Sequence, residues 1–313
     1  MTQAGGTGPR VPVGMVGESP AMRTVFSTIS KVAASNAGAL ILGESGVGKE
    51  LVAAAIHRQS ARREGPFVPV NCGAVPSELF ESELFGHARG AFTGASADHV
   101  GFFQASDGGT LLLDEISELS PKLQVKLLRV VQDRRVYMLG ATKPRGVDVR
   151  ILAATSRDLR AMVDAGTFRE DLYYRVSVVV VHVPPLRVRG NDIELLIRHF
   201  AERFAADQNR TPLKFNRAVL AALRTYDWPG NVRELQNLVQ RLTVMVEGSD
   251  VRIVDLPQHM RLRPPMSKTP SSGLRQVELA HIRSVLDSVG GNKTQAAKIL
   301  GIDRKTLRGK LKG

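Results

Sequence analysis

The segment LILGESGVGKE, residues 40–50, places Gly43, Gly48 and Lys49 at the spacing G-x-x-x-x-G-K, after an apolar run and before a helical pattern. Glycines let backbone N–H groups converge on phosphate oxygens. The helix that follows turns its positive end toward them, and the lysine reaches the terminal phosphates. A chance glycine-rich turn is the plain alternative, and the strand–loop–helix setting argues against it. Glu44, Ser45, Gly46 and Val47 complete the cradle, while Glu50 stands where a Ser or Thr would ordinarily touch Mg²⁺. Downstream, GGTLLLDEIS ends an apolar run on Asp114 and Glu115. An acid at the carboxyl end of a buried strand can hold Mg²⁺ directly or through water, and a neighbouring Glu can polarise the attacking water. The two segments together point to hydrolysis of ATP, with Mg²⁺ as its companion.

A second stretch asks for a partner. Within ELFGHARGAFTGASADHV, the residues Gly90, Ala91, Phe92, Thr93, Gly94 and Ala95 put one aromatic and one threonine among small residues. Glycine at both ends permits backbone angles that other residues avoid, so the stretch reads as a loop tip. An aromatic held out in solvent is costly unless another molecule buries it. The alternative is that Phe92 tucks into the core of its own chain. A second turn-rich basic segment, QDRRVYMLGATKPRGVDVR, lies between a helical pattern and the strand VRILAAT; basic hairpins of such composition are common, and the segment by itself is a weak signal.

The third chemical signal is charge. Forty-three Lys and Arg against 30 Asp and Glu give a net charge of +13, which favours an anionic partner, nucleic acid first. Much of the last segment, GGNKTQAAKILGIDRKTLRGKLK, is basic and has helix-turn-helix spacing. Asn292 with Gln295 resembles a capping box, and Ala296, Ala297 and Leu300 form an inner face. Gly301 supplies the turn, Ile302 and Leu307 close the small core, and Asp303 caps the second helix. Arg304, Lys305, Thr306 and Arg308 then lie on a helix suited to the major groove of double-stranded DNA. Lys293, Lys298, Lys310 and Lys312 would meet phosphates, with Asn292 and Thr294 beside them. Gly309 is unfavourable inside such a helix, which would fit a helix already ending there. A charged helical hairpin used for dimerisation is the competing reading.

These residues need elements to position them. Between Met15 and Val183 short apolar runs alternate with helical patterns, the signature of a parallel α/β sheet. Strands are expected in GALILG, FVPVN, GTLLLDE, VRILAAT and VSVVVVHV, with helices over Lys49–Arg58 and 121–131. PPLRVRGND breaks that alternation, and helical patterns over 193–207, 216–225 and 232–247 follow with no strand between them. The expected organisation is a disordered tail at 1–14, an α/β subdomain at 15–187 and an all-helical subdomain at 188–248. A linker at 249–273 and a helix-turn-helix at 274–313 complete it. One cysteine, Cys72, excludes an internal disulfide and a four-cysteine zinc site, and reads as a small buried residue. No secretory signal or membrane-length apolar run is present, so a soluble cytoplasmic protein without a membrane partner is expected.

Taken together, GESGVGKE, NCGAVPSELFESELFGHARGAFTGA, GGTLLLDEI, FREDLYYRVSVVVVHVPPLR and WPGNVRELQN resemble the signature segments of one family, in its order. That family is the bacterial enhancer-binding proteins, the AAA+ activators of the sigma-54 form of RNA polymerase. The resemblance runs from about Gly14 to Lys312. It implies an AAA+ P-loop ATPase fold with a parallel sheet between helices, a helical lid, and a Fis-type helix-turn-helix. The family usually carries Glu at the position of Glu50.

By the same resemblance Lys49 binds the β- and γ-phosphates, Asp114 the metal ion and Glu115 the attacking water. Asn71 matches a switch residue that hydrogen-bonds the catalytic glutamate, and Thr155 a sensor near the γ-phosphate, followed here by Ser156 rather than the usual Asn. Arg169 and Arg175 match arginine fingers supplied to a neighbouring subunit's ATP; for Arg169 and Arg175 a surface salt bridge to Glu170 or Asp171 is the plain alternative. Arg233 matches the lid arginine that senses nucleotide, and Trp228 reads as a packing residue. Val188 stands where the family commonly has Glu.

Residues 90–95 match the mobile tip that reaches the sigma factor, with the basic hairpin assisting it. The implied partners are sigma-54 of RNA polymerase, double-stranded enhancer DNA and further copies of the chain, as a hexamer or a resting dimer. Many members carry a phosphoacceptor or ligand-sensing domain ahead of these segments. Here either a regulatory protein acts in trans or the chain is a piece of a longer one. The alternative function is an AAA+ DNA-binding regulator acting without sigma-54 remodelling, against which the intact 90–95 tip argues. A chaperone-like motor unrelated to transcription is disfavoured by the basic tail.

Overall fold

The computed structural model of the protein describes residues 14–261 and 292–312, with Pro12, Ile282 and Leu286 singly. Contacts divide the chain into two units, residues 1–263 and 264–313. The expected tail at 1–14, the second half of the linker from 262 on and the first part of the helix-turn-helix lie largely outside the described residues.

In the first unit the strands β1 (Ala39–Leu42), β2 (Phe67–Asn71), β3 (Thr110–Asp114), β6 (Arg150–Thr155) and β7 (Val179–His182) form one parallel sheet. Its order is β2-β3-β6-β1-β7. Around the sheet run α1 (Pro20–Ala33), α2 (Lys49–Arg58), α3 (Ser77–Phe85), α4 (Phe102–Ala105), α5 (Pro121–Asp133), α6 (Leu159–Asp164) and α7 (Glu170–Val176). The period of two shows in the packing of β3. Leu111 and Leu113 face one core with Phe80, Leu84 and Leu127, while Leu112 faces the other with Phe26, Ile29 and Ile56. Burial on both faces explains why these strands read as continuous apolar runs.

The register sets the site. Asn71 pairs with Asp114, Asp114 with Ala154, and Leu42 with Thr155, so the carboxyl ends of four neighbouring strands finish along one edge. That edge is where an open parallel sheet receives ligands. The antiparallel hairpin of β4 (Arg135–Val136) and β5 (Arg145–Gly146) stands between α5 and β6. Residues 176–183 differ from the expected strand. Val176 completes α7, where it is buried, Ser177 ends that helix, and Val178 is exposed, so β7 begins only at Val179.

The helical subdomain consists of α8 (Asp192–Asp207), α9 (Arg217–Thr225) and α10 (Asn231–Met245). It is not purely helical. Residues Lys214–Phe215 (β8) pair in parallel with Asp250–Val251 (β9). Nor does linker begin at 249. A 3-10 turn (Ile253–Asp255) and α11 (Gln258–Arg261) continue the lid, and Val251, Leu256 and Met260 are buried in its core around Trp228. Those apolar residues stand among prolines and basic residues, whose composition hid their spacing.

In the second unit α12 (Lys293–Ile299) and α13 (Arg304–Lys312) pack Ala296, Ala297 and Leu307 with Ile282. Gly301, at φ +66°, makes the turn between them. Contrary to a helix ending near Gly309, α13 continues through it to Lys312.

Candidate nucleotide cleft, loop tip and DNA-binding helix

Residues 43–48 turn from β1 into α2 with Gly46 at φ +78° and Gly48 at φ +100°. Gly46 is also required by space, since a Cβ there would sit 2.3 Å from the Gly230 carbonyl oxygen of the lid. Lys49, the first residue of α2, is 7% exposed, and its Nζ donates to the Gly43 carbonyl and to Glu115 Oε1, both at 3.0 Å. Glu115 follows β3 in left-handed backbone, φ +51°. Its other oxygen accepts from the Ser156 N–H at 3.0 Å and the Ser156 hydroxyl at 3.1 Å, with the Thr155 hydroxyl 3.2 Å away.

These contacts separate the two acids. Burial pushes the Glu115 carboxyl upward, but the Ser156 N–H and Lys49 outweigh it and hold it below its ordinary value. Burial, with the Glu115 charge beside it, pushes the Asp114 carboxyl up, and Lys49 opposes this only in part. A half-buried carboxylate short of positive charge fits a hard cation. Among the described residues no three His, Cys, Asp or Glu group as a metal cage. Nearby Cys72 is buried, and its thiol is pushed well up.

Asn71 behaves differently from the implied switch contact. Its Oδ1 accepts from the Gly73 N–H at 2.9 Å, closing a local turn, and Glu115 is held instead by Lys49, Thr155 and Ser156. Ser156, in place of the usual Asn, brings both backbone and side-chain donors to the glutamate.

The lid closes over the phosphate loop. Arg187 donates twice to Glu44, at 2.6 and 2.8 Å, and Asn231 Nδ2 once, at 3.1 Å. Led by the Arg187 bonds, these hold the Glu44 carboxyl down at about 2. At the start of α10 the Arg233 N–H donates to the Gly46 carbonyl at 3.2 Å, and its guanidinium to the Ser45 hydroxyl at 3.3 Å. Between loop and lid lies a cleft of about 440 Å³, lined at one part by Lys49, Asp114, Glu115 and Arg233 and elsewhere by Met15, Val16, Leu196 and Phe200. Glu50, exposed in the first turn of α2, also lines it, as do Ser45, Gly46, Val47 and Gly48.

Arg169 and Arg175 do not line this cleft. Both are exposed on α7 or at its start; Arg169 pairs with Asp171 at 2.7 Å, and Arg175 donates to the Val131 carbonyl at 3.4 Å. The plain salt bridge considered for Arg169 is thus formed within one chain.

Sequence reasoning passed over two buried charges. Arg189 donates to the carbonyls of Val47, at 2.9 Å, and Pro184, at 2.8 and 3.0 Å. Burial pulls its guanidinium down to about 10, with the Asp192 charge opposing. Asp192, 1% exposed, accepts from residues 18 and 19. The one available signal was PPLRVRGND itself, two arginines and an aspartate directly after the last sheet strand.

The 90–95 stretch is a turn closed on itself: the Gly90 N–H donates to the Ala95 carbonyl at 2.9 Å, and the Ala95 N–H to that of Phe92 at 3.0 Å. Gly90 at φ +80° and Gly94 at φ +108° take backbone angles costly for other residues. Ala95 is buried, and Thr93 is exposed. Phe92 is 44% exposed, outside the cores, with its ring and that of His87 edge-on to one another, centroids 4.9 Å apart. The β4–β5 hairpin abuts this tip, for a Cβ on Gly140 would lie 2.8 Å from that of Ala91. The Ala88 N–H also donates to the Leu139 carbonyl at 2.9 Å.

In the helix-turn-helix, Asn292 caps α12 by accepting from the N–H groups of Thr294 and Gln295 at 3.1 and 3.2 Å. Asp303 caps α13 through the N–H groups of Lys305 and Thr306 at 2.8 and 2.9 Å, and also accepts the Thr306 hydroxyl. Lys293, Thr294, Arg304, Lys305, Thr306 and Arg308 are exposed, and Lys310 is half-buried.

Residues 15–182 match the sigma-54 interaction domain, 187–273 the AAA+ ATPase lid domain, and 273–312 the Fis family of bacterial regulatory proteins. The chain belongs to the sigma-54-dependent activators. It is 51% identical over 301 residues to transcriptional regulatory protein ZraR of Escherichia coli (strain K12), covering 95% of this chain and 68% of that protein. Regulatory protein AtoC of the same strain is 45% identical, over 94% of this chain and 66% of its own length. Among solved structures, NtrX from Brucella abortus in complex with ADP is similar with a TM-score of 0.75 and 37% identity, over 95% of this chain and 69% of that one. NtrX has also been solved in complex with ATP. As a sigma-54 activator the chain is a bacterial transcription regulator with an AAA+ ATPase domain and a Fis-type DNA-binding domain. No helix among the described residues is long and apolar enough to cross a membrane.

Proposed function

We propose that this activator binds upstream DNA through α13, assembles into a hexamer from a resting dimer, and hydrolyses ATP to remodel the closed complex of sigma-54 RNA polymerase. The observation that carries the reading is the hold on Glu115: Lys49 on one oxygen, Thr155 and Ser156 on the other. A carboxylate kept ionised beside the phosphate-loop lysine is placed to accept a proton from water as that water attacks the γ-phosphorus. General base catalysis of this kind contributes about 10²–10⁴ in rate. ADP leaves as the bridging P–O bond breaks. On ATP binding, before that step, Lys49 would exchange Glu115 for the β- and γ-phosphates, and Arg233 would follow the nucleotide from the lid.

Asp114 would hold Mg²⁺, which supplies charge neutralisation on the phosphates. Arg169 and Arg175, exposed away from their own cleft, would serve a neighbouring subunit's ATP. Phe92 and Thr93 would meet the sigma factor, with Gly90 and Gly94 letting the tip rise and fall. Arg304, Lys305, Thr306 and Arg308 would enter the major groove, while Lys293, Thr294 and Lys310 would meet phosphates and Asn292 would keep α12 capped. The test is open-complex formation by sigma-54 RNA polymerase on a premelting-free promoter. Heparin-resistant complexes should form with ATP and not with a non-hydrolysable analogue. Hydrolysis without open complexes would refute remodelling.

A further inference from the structure

Asp192 is a buried carboxylate that does not itself line the cleft, yet it grips the chain that forms one of its walls. Oδ1 accepts from the backbone N–H groups of Glu18 and Ser19 at 2.7 and 2.9 Å, and Oδ2 from the Ser19 hydroxyl at 2.6 Å. Gly17 lies against it so closely that a Cβ would come within 3.1 Å of Oδ2. The gripped segment crosses between two cores: Met15 packs with the sheet and Val16 with the lid, and both line the cleft. Three residues earlier, Arg189 donates to the Val47 carbonyl of the phosphate loop, which also lines the cleft. The start of the lid therefore holds two parts of the lining.

We propose that Asp192 is a positioning residue for nucleotide binding: it ties residues 14–19 to the lid, so that this wall moves with α8 and sets the affinity for ATP and ADP without taking part in hydrolysis. The proposal rests on the reading of the cleft as an ATP site. Carboxylate bonds to backbone N–H groups are among the stronger hydrogen bonds, so their loss should be legible in affinity.

The experiment uses the full chain, with a fluorescent ADP analogue for binding and steady-state ATP hydrolysis for rate. Asp192→Ala should weaken ADP binding and raise KM for ATP about tenfold, with kcat changed by less than about twofold. Asp192→Asn keeps an acceptor for the two N–H groups and should recover most of the affinity. Ser19→Ala, which removes the Oδ2 bond together with the 3.3 Å cap that the Ser19 hydroxyl gives the Met22 N–H at the start of α1, should fall between them and decides the matter if Asp192→Ala does not fold. Unchanged affinity in folded Asp192→Ala or in Ser19→Ala, or a fall in kcat as large as the rise in KM, would overturn the proposal. A wild-type chain that binds no ADP would instead overturn the reading of the cleft.

Discussion

Around the phosphate loop Lys49, Glu115 and Glu44 are held by several partners each, whereas Phe92 and Thr93 at the 90–95 tip are left exposed. Lys49 has two acceptors, Glu115 three residues around its oxygens, and Glu44 three bonds from two side chains. Phe92 has an edge-on contact with the His87 imidazole, and Thr93 faces solvent. The difference teaches what each region is built for. Charge that must be ready before a reaction is fixed in place by neighbours whose own positions are fixed. An aromatic that must be buried by another molecule is left on a backbone turn with glycine at both ends, where its position can change.

The comparison can be broken in four ways. Replacing Arg175 by Ala should lower ATP hydrolysis by about 10³-fold or more if it acts as an arginine finger, while ADP affinity stays as it was. Mixing that variant with a Lys49→Ala chain should then restore part of the rate, and an Arg175 that serves only its own chain, through the Val131 carbonyl, would give neither result. Glu115→Gln should cost about 10²–10⁴ in kcat with ATP still bound, measured by single-turnover hydrolysis. Ser156→Ala keeps the backbone donor and loses the hydroxyl, so kcat should fall only about tenfold. Ser156 helps to keep Glu115 ionised, so its loss should also move the acid limb of the pH–rate profile to higher pH. Phe92→Ala, at the other extreme, should change ATP hydrolysis by less than about twofold, because Phe92 lines no part of the cleft. A large loss of hydrolysis in that variant would mean that the tip and the cleft are not separable.

Legibility in the sequence divides along the same line. The strands with two buried faces announced themselves as unbroken apolar runs, and the P-loop turn and the acids at 114 and 115 were placed by residue type alone. So was the inner face of α12, since small residues at helical spacing leave one way to pack. Contacts across long sequence distances were not legible. Nothing local in Asn71 shows that it closes its own turn, and nothing in Ser156 shows that its backbone N–H serves Glu115. Asp192 meets residues more than 170 positions away. Val251, Leu256 and Met260 were lost for another reason: a Pro- and Arg-rich neighbourhood reads as linker until the lid core is seen to need them. Likewise the valine run before β7 is shared between a helix end and a strand, because burial and not residue type sets that border.

The measurement that bears most directly on the account is binding of the purified chain to sigma-54, with ADP and then with ADP plus a metal fluoride that mimics the transferring phosphoryl group. Phe92→Ala and Thr93→Ala variants run beside the wild type. The account predicts a complex only with the mimic, lost in Phe92→Ala and weakened in Thr93→Ala, with nucleotide binding intact in all three. A complex that forms equally with ADP, or one that survives Phe92→Ala, would contradict it.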